Sequence, residues 1–387
     1  MNALRCKAAC IYRCPLGLKN QIGNYRPARD GKPEGLYTPY RLSARNAVRW
    51  ILRFLRKGNS TMNASTSRRR LCALLFSLLA FALATNASAK PLPLVVGKFA
   101  EHPIPTAQSN PVGIAYGPGG NLWFTEFHGN KIGRMTPHGT FTEYMVPTGD
   151  SQPQGITTGP DGNLWFAEFN ASNIGRITPT GMITEFPIPD FGSYITAGPD
   201  GNLWFTEVSG RGIGRITPDG TFTEFLLPST DSGPYGITTG PDGNLWFTEL
   251  QNNMIGRITS AGMITEFPIP TQGSLPLAIV AGRDGNLWFT EGDGSKIGRI
   301  TPQGHFKEFS LPMLDTEPFG IASGSDGNLW FTESNRNQIG RITIRGKISE
   351  YPVPTSRSFP EGIARGAKNT LWFTEYLGNQ IGRITDR

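Results

Sequence analysis

The chain has 387 residues and a formal net charge of +7, but its positive charge is concentrated in the first part. Residues 1–89 hold 16 of the 37 basic residues and only 2 of the 30 acidic ones, which leaves the rest of the chain at a net charge of −7. An acidic domain argues against the phosphate-neutralising surface that general nucleic-acid binding needs, so we expect no nucleic-acid partner.

Residues 1–61 form a basic segment that precedes a second methionine, Met62. We interpret this segment as an extension upstream of the true start that is not translated; a genuine basic arm is the alternative that the sequence leaves open. All four cysteines lie within residues 1–89, at Cys6, Cys10, Cys14 and Cys72. The rest of the chain therefore has neither disulfides nor a thiol nucleophile.

Residues 62–89 have the three parts of a signal peptide. Arg68–Arg70 are positively charged, Leu71–Ala84 is an apolar run, and Ala87–Ala89 supplies the small residues that a signal peptidase needs. Cleavage before Lys90 would release residues 90–387 as a periplasmic or secreted domain. The apolar run is short for a bilayer span, so we expect no stable membrane anchor, although an anchor is the alternative.

Residues 90–387 repeat one sequence unit seven times. A Leu-Trp-Phe string recurs every 39 or 42 residues, and its tryptophans are Trp123, Trp165, Trp204, Trp246, Trp288, Trp330 and Trp372. Each unit contains four short runs with strand propensity, separated by turns rich in Gly, Asn, Asp and Pro. Four strands in a unit of about 40 residues are typical of a propeller blade. The sequence therefore predicts an all-β, seven-bladed propeller with four antiparallel strands per blade.

The two ends of the repeat array complement each other. The last unit ends after its third strand, at Ile381–Thr385, whereas Lys98–Pro105 resembles an isolated fourth strand. An N-terminal strand that completes the last blade would close the ring and remove exposed sheet edges. We predict this closure.

An arginine follows each of these tryptophans by eleven residues, for example Arg257 after Trp246. If the turn between their two strands has four residues, each Trp and Arg lie opposite one another and the guanidinium covers the indole. The Trp and the following Phe should pack between neighbouring blades.

Candidate functional positions lie where the repeat varies, in the Pro-x-Gly-Ile turn that enters each innermost strand beside the central channel. The x residues are Val112, Gln154, Ser193, Tyr235, Leu277, Phe319 and Glu361. Among these, Gln154, Tyr235 and Phe319 are candidate binding residues, together with His128. His128 is the one histidine expected on the same face, where a solvated loop histidine is the alternative to a proton-transfer group.

Acidic side chains also lie near this face, among them Asp315 and Glu317. Hard cations bind carboxylate oxygens, so a divalent-cation site and a merely solvated acidic rim are both open interpretations. A glutamate ends the second strand of every unit: Glu126, Glu168, Glu207, Glu249, Glu291, Glu333 and Glu375. Because this residue recurs in all seven units, we interpret it first as structural, with recruitment of one member to a site as the alternative.

The recurring pattern GPDGNLWFTE…IGRIT closely resembles that of the virginiamycin B lyases, or streptogramin lyases, over residues 98–387. The resemblance implies a seven-bladed propeller that opens the lactone ring of type B streptogramins by elimination. In that reaction a base removes a proton next to a carbonyl, and Mg²⁺ with acidic ligands stabilises the developing charge.

The family's catalytic residues do not carry over directly. Its histidines at the Pro-x-Gly-Ile turns of the last two blades correspond here to Phe319 and Glu361, and its metal-binding glutamate corresponds to Tyr376 or, with a gap, Glu375. The candidate catalytic residues are therefore Glu361 and Glu317. Glu375 and Asp315 are the candidate Mg²⁺ ligands.

Three functional hypotheses follow. The first is a streptogramin lyase, the second is a non-catalytic propeller that binds a small molecule, glycan or protein, and the third is another lyase or a lactone hydrolase that uses Glu361, Glu317 and a divalent cation. Whether the protein is an enzyme stays open at this point. Nothing in the sequence indicates an oligomer, and we expect a monomer.

Overall fold

The computed structural model describes residues 98–208 and 212–386, which form almost only β-structure. In these residues 28 strands build seven four-stranded antiparallel sheets, interrupted by two 3₁₀ turns at Pro118–Gly120 and Ser334–Arg336. This confirms the predicted seven-bladed, all-β propeller. The predicted basic extension (1–61) and signal peptide (62–89) lie outside the described residues.

Within each blade the strands follow chain order from the channel outward. The innermost strands are β2 (Pro111–Tyr116), β6 (Pro153–Thr158), β10 (Gly192–Ala197), β14 (Pro234–Thr239), β18 (Pro276–Ala281), β22 (Pro318–Ser323) and β26 (Pro360–Arg365). The second strands are β3 (Leu122–Glu126), β7 (Leu164–Glu168), β11 (Leu203–Glu207), β15 (Leu245–Glu249), β19 (Leu287–Glu291), β23 (Leu329–Glu333) and β27 (Thr370–Glu375).

The outer half of each blade is a second hairpin. The third strands are β4 (Lys131–Met135), β8 (Asn173–Ile177), β12 (Gly212–Ile216), β16 (Met254–Ile258), β20 (Lys296–Ile300), β24 (Gln338–Ile342) and β28 (Gln380–Thr385). The outermost strands are β5 (Phe141–Met145), β9 (Ile183–Pro187), β13 (Phe222–Leu226), β17 (Ile264–Pro268), β21 (Phe306–Ser310), β25 (Ile348–Pro352) and β1 (Phe99–Pro103).

The ring closes as the sequence predicts. Strand β1 pairs antiparallel with β28, from Phe99 opposite Ile384 to Pro103 opposite Gln380. The innermost strands of neighbouring blades contact one another all round the ring, including β26 of the last blade and β2 of the first. Every blade therefore has two neighbours.

The hydrophobic core lies between the blades rather than inside them. Trp204 of the third blade, for example, packs with Leu245 and Phe247 of the fourth. The same arrangement recurs at the other interfaces, where the tryptophans are 0–9% exposed. Glycine in the third strand makes room for the phenylalanine, because a Cβ atom on Gly256 would lie 2.1 Å from the ring of Phe247.

The predicted Trp–Arg pairs are also confirmed. Trp246 lies opposite Arg257 across β15 and β16, and the guanidinium carbon is 5.5 Å from the centre of the indole. Arg257 Nη1 then donates to the carbonyl of Pro302 in the next blade at 3.0 Å. The indole nitrogen of Trp246 donates at 2.9 Å to Asp242, in the turn before β15. One arginine thus joins the surface of two blades.

Candidate functional site at the channel mouth

Each innermost strand begins with a β-bulge that shapes the mouth of the channel. In the sixth blade Pro318 pairs with Glu333 and Ile321 with Phe331, so the register shifts by one residue between them. The shift falls at the x residue and the residue after it, and it occurs in all seven blades. Bulges bend a strand and re-aim its side chains.

The x side chains converge in two apolar clusters. One joins Tyr235, Leu277 and Phe319 from three successive blades, and the rings of Tyr235 and Phe319 meet edge to face at 6.3 Å. The other joins Val112 to Phe127 and Phe169, with Tyr376 packed against it. The mouth is therefore lined mainly by apolar and aromatic groups, as small-molecule sites commonly are.

A chain of polar groups runs through this apolar lining. The Ser193 hydroxyl donates to Gln154 Oε1 at 3.0 Å, and Gln154 Nε2 donates to the Tyr235 hydroxyl at 3.0 Å. The Tyr235 hydroxyl is in turn hydrogen-bonded to that of Tyr194, and the two rings lie 4.8 Å apart. The predicted binding residues Gln154 and Tyr235 are thus brought into one network, and Phe319 packs against it.

Glu361, the candidate catalytic residue, is buried at the start of β26 and is only 8% exposed. Burial, with the nearby carboxyl of Glu317, raises the pKa of Glu361 well above its usual range. Glu361 also raises the pKa values of Tyr194 and Tyr376, although burial is the larger cause for both phenols. The Glu361 carboxyl therefore lies near both tyrosines, and its burial favours the protonated form.

Glu317 lies directly before β22, in a left-handed backbone conformation with φ 49°. Burial, with the charge of Asp293, raises its pKa to about 8. The structure therefore brings the two candidate catalytic carboxyls, Glu317 and Glu361, close enough to interact. A pair of this kind can release protons at different pH values, which suits acid–base chemistry.

The other predicted site residues lie apart from Glu361 and Glu317. His128 is exposed at the rim, with its ring 5.0 Å from Phe127 and 6.3 Å from Tyr376. Asp315 lies on an exposed loop. Glu375 ends β27 with its side chain fully buried beside Glu101 of β1, whereas the next residue, Tyr376, packs at the mouth.

The fit of these residues to Mg²⁺ is poor. Mg²⁺ needs a compact, nearly octahedral set of oxygen ligands. Among residues 98–208 and 212–386, no group of three His, Cys, Asp or Glu side chains could hold a metal ion. Glu375 faces the blade interface, and the residue before the last Pro-x-Gly turn is the apolar Phe359. The candidate Mg²⁺ ligands Glu375 and Asp315 stay a prediction.

The glutamates that end the second strands form a layer of their own. Each is fully buried, and each faces the glutamate of the outermost strand of the same blade, as Glu333 faces Glu350. Burial and this neighbour raise the pKa of Glu333 to about 8. The recurrence of this glutamate pair in all seven blades favours the structural interpretation.

Sequence reasoning missed Tyr194. Tyr194 directly follows Ser193, the x residue of the third unit, at a position that the repeat pattern alone does not single out. That position holds glycine in five other units and Ala278 in one. The departure from the repeat at this position was the signal that could have identified Tyr194.

Comparison with known proteins finds relatives that match the whole propeller. The model of the virginiamycin B lyase family matches residues 94–207 and 192–387. Virginiamycin B lyase from Staphylococcus aureus, in selenomethionine form, is 43% identical over 74% of this chain and 99% of its own, with a TM-score of 0.72. A streptogramin B lyase structure is 40% identical over 74% of this chain and 97% of its own, also with a TM-score of 0.72.

A third solved structure contains a ligand. It is a catalytically inactive histidine-to-alanine variant of the Staphylococcus aureus lyase with quinupristin, 43% identical over 74% of this chain and 99% of its own, with a TM-score of 0.72. Comparison with curated proteins gave no match. Within the described residues, no helix has the length and apolar character needed to cross a bilayer.

Proposed function

The chain belongs to the virginiamycin B lyase family, and from this premise we propose that it binds a small molecule at the channel mouth through a neutral acceptor group. The observation that carries the proposal is the buried Glu361 carboxyl, whose burial among aromatic side chains favours its protonated form. A protonated carboxyl is a hydrogen-bond donor in an apolar site, so it would anchor an acceptor group of the ligand.

Quinupristin is a suitable first ligand, since a relative of 43% identity has been solved with it. It would place apolar groups against the cluster of Tyr235, Leu277 and Phe319. His128, at the rim beside Phe127, would contact the outer part of the ligand. We expect the protein to act as a monomer and to need no nucleic-acid partner.

A lyase is the second candidate, and the altered acidity of Glu361 favours it. A carboxylate with a raised pKa is a stronger base than an ordinary one. Ionised Glu361 would take a proton from the carbon next to a carbonyl. The C–H electrons would form a carbon–carbon double bond as the adjacent C–O bond breaks, and the ester oxygen would leave as a carboxylate. Burial, and after it the carboxyl of Glu317, would raise the pH at which Glu361 ionises.

The deciding experiment incubates the purified protein with quinupristin, with and without Mg²⁺, and follows both binding and ring-opened product by calorimetry and mass spectrometry. Glu361→Gln is the test variant, and Asp219→Asn, in the exposed turn between β12 and β13, is the control. Binding without product supports the binding function. Product that is lost in Glu361→Gln supports the lyase, and its rate should rise with pH as Glu361 ionises.

Two results would count against these proposals, and a third would reveal a metal site. Absence of both binding and product contradicts the proposed ligand class. Product formation that is unchanged in Glu361→Gln removes Glu361 as the base. A rate that requires Mg²⁺ would mean that carboxylates such as Glu375 and Asp315 assemble into a metal site when the ion binds.

We further propose that the protein is exported, because residues 62–89 have the charge and hydrophobicity pattern of a signal peptide. N-terminal sequencing of the protein recovered from the periplasm or the medium should begin at Lys90. A cytoplasmic protein that retains residues 62–89 would contradict export.

A further inference from the structure

The third blade breaks the repeat at a position where every other blade has glycine or alanine. At Gly236 a Cβ atom would lie 2.4 Å from the carbonyl oxygen of Leu277 in the next innermost strand, and Gly113, Gly155, Gly320 and Gly362 are similarly crowded. Tyr194 occupies the equivalent position in β10. Its unit is also three residues shorter than the others, and Gly192 replaces the proline that begins the other innermost strands. The tyrosine is therefore a feature of this blade alone.

The hydrogen-bond chain that reaches Tyr194 has a direction. The amide nitrogen of Gln154 can only donate, so the Tyr235 oxygen accepts from it at 3.0 Å. A phenol has one proton, and that of Tyr235 is then directed to the oxygen of Tyr194. The other end of the chain is fixed by Ser193, which donates to Gln154 Oε1.

This polarity leaves the proton of Tyr194 unused within the chain. Tyr235 is 1% exposed, whereas Tyr194 is only partly buried, so the last donor of the chain is the one that borders the channel. Tyr194 and Glu361 come from the third and seventh blades and lie close enough to interact electrostatically. Two side chains that can donate a hydrogen bond thus come from blades on opposite sides of the ring.

The charged groups at the mouth restrict which ligands can bind there. Glu317 interacts with both Asp293 and Glu361, so three acidic side chains lie near one another at the mouth, whereas His128 is at its exposed rim. An anionic ligand would be repelled by the Asp293 charge, which already raises the proton affinity of Glu317. A neutral carbonyl oxygen, as in an ester or amide, can accept from both donors without this repulsion.

We propose that Tyr194 is a specificity-determining residue whose hydroxyl donates to a carbonyl oxygen of the ligand, oriented for this by Ser193, Gln154 and Tyr235. The inference rests on the proposed ligand-binding function and names the ligand class as a neutral ester or amide. It also explains why a bulky polar side chain is retained at a position that is glycine or alanine in every other blade.

The first arm of the test measures the dissociation constant of quinupristin by calorimetry for the wild type, Tyr194→Phe and Tyr351→Phe. Tyr351 stacks on Trp330 in an outer strand, where four other blades have phenylalanine, so it is a matched control. Loss of one donor should weaken binding about tenfold in Tyr194→Phe. The control should bind as the wild type does. Equal affinities in all three proteins would overturn the proposal.

The second arm needs no ligand. In protein labelled with ¹³C at tyrosine Cζ, the isotope shift in mixed H₂O and D₂O reports slow hydroxyl exchange. The Tyr235 hydroxyl should exchange slowly in the wild type and faster in Tyr194→Phe, because its acceptor is gone. Unchanged exchange would mean that Tyr235 does not donate to Tyr194, and would overturn the proposed orientation. Failure of the wild type to bind quinupristin, with the exchange difference present, would contradict the proposed function but not the donor role.

Discussion

The blade interfaces and the channel mouth are built from the same repeat and use it in opposite ways. At the interfaces a tryptophan, a phenylalanine and an arginine recur in all seven blades, with nearly constant geometry. At the mouth the x residue is different in every blade, and its neighbours form one asymmetric site. Repetition stabilises the ring, and departures from it create the surface on which chemistry can act.

Among changes to the blades, deletion of the closing strand β1 should have the largest effect on stability. Removal of residues 98–103 would delete β1. The last blade would then have three strands, with β28 as its exposed edge. We expect aggregation or loss of cooperative unfolding, measured by light scattering and calorimetry. Addition of a peptide with residues 98–105 should restore part of the stability. A truncated protein that unfolds at the wild-type temperature would contradict the role of closure.

Removal of a single interface tryptophan should have the next largest effect on stability. Trp246→Ala removes a fully buried indole, which should lower the free energy of unfolding by about 3–5 kcal/mol. Met263→Ala, at a side chain that is 71% exposed, is the control and should change it by less than about 0.5 kcal/mol. Denaturant unfolding measures both. Quinupristin affinity at low temperature should be unaffected by either, unless the interfaces and the mouth are coupled.

The layer of buried glutamates predicts a pH dependence. The pKa of Glu333 is about 8 in the folded protein, well above its value in the unfolded chain, so the folded state holds its proton more tightly. Its contribution is therefore fully present below the unfolded pKa of about 4.3 and is lost as the pH rises to about 8. The melting temperature should fall over this interval, through the combined effect of the seven sites.

A matched pair of variants isolates one member of this layer. In Glu333→Gln the amide stays neutral and can donate to Glu350, so the loss of stability between pH 5 and pH 9 should be smaller than in the wild type. Asp231→Asn, on an exposed loop, should leave the pH profile unchanged. If Glu333→Gln and the wild type lose equal stability over this range, Glu333 does not titrate as described.

The smallest effect is expected from the arginine that covers an indole. Arg257→Lys keeps the charge but loses the planar contact with Trp246 and the bond to Pro302, and should cost about 1 kcal/mol. Arg345→Lys, at an exposed position, is the control. Denaturant unfolding of both variants checks the difference. Equal stability of the two would leave the recurring arginine without an energetic role.

Most of the fold could be predicted from the sequence because its determinants are local and repeated. The spacing of the tryptophans gave the number of blades, and the unmatched strand at Lys98–Pro105 gave the closure. The opposition of Trp246 and Arg257 followed from a turn of four residues. The role of Asp242 was not predicted, because an aspartate before a glycine is already explained by the turn, which hides its bond to the indole.

The candidate site was only partly predictable. The x residues were identified as the channel lining, but their grouping depends on contacts across the ring that no short stretch of sequence encodes. The alignment left Glu375 and Tyr376 as alternatives, and only the pleat of β27 places one between the blades and the other at the mouth. The proximity of Glu361 to Tyr194, 167 positions earlier in the numbering, likewise appears only in three dimensions.

The pairing of β1 with β28 has a consequence for how the ring forms. Thr385 donates its backbone N–H to the carbonyl of Lys98 at 3.3 Å, so the two ends of the described propeller meet in one sheet. During synthesis the first strand to emerge waits for a partner that is made last. The domain can reach its final state only after the whole array has been translated. Because the ends adjoin, joining them and opening the chain between two other blades should yield a circular permutant with the same ring.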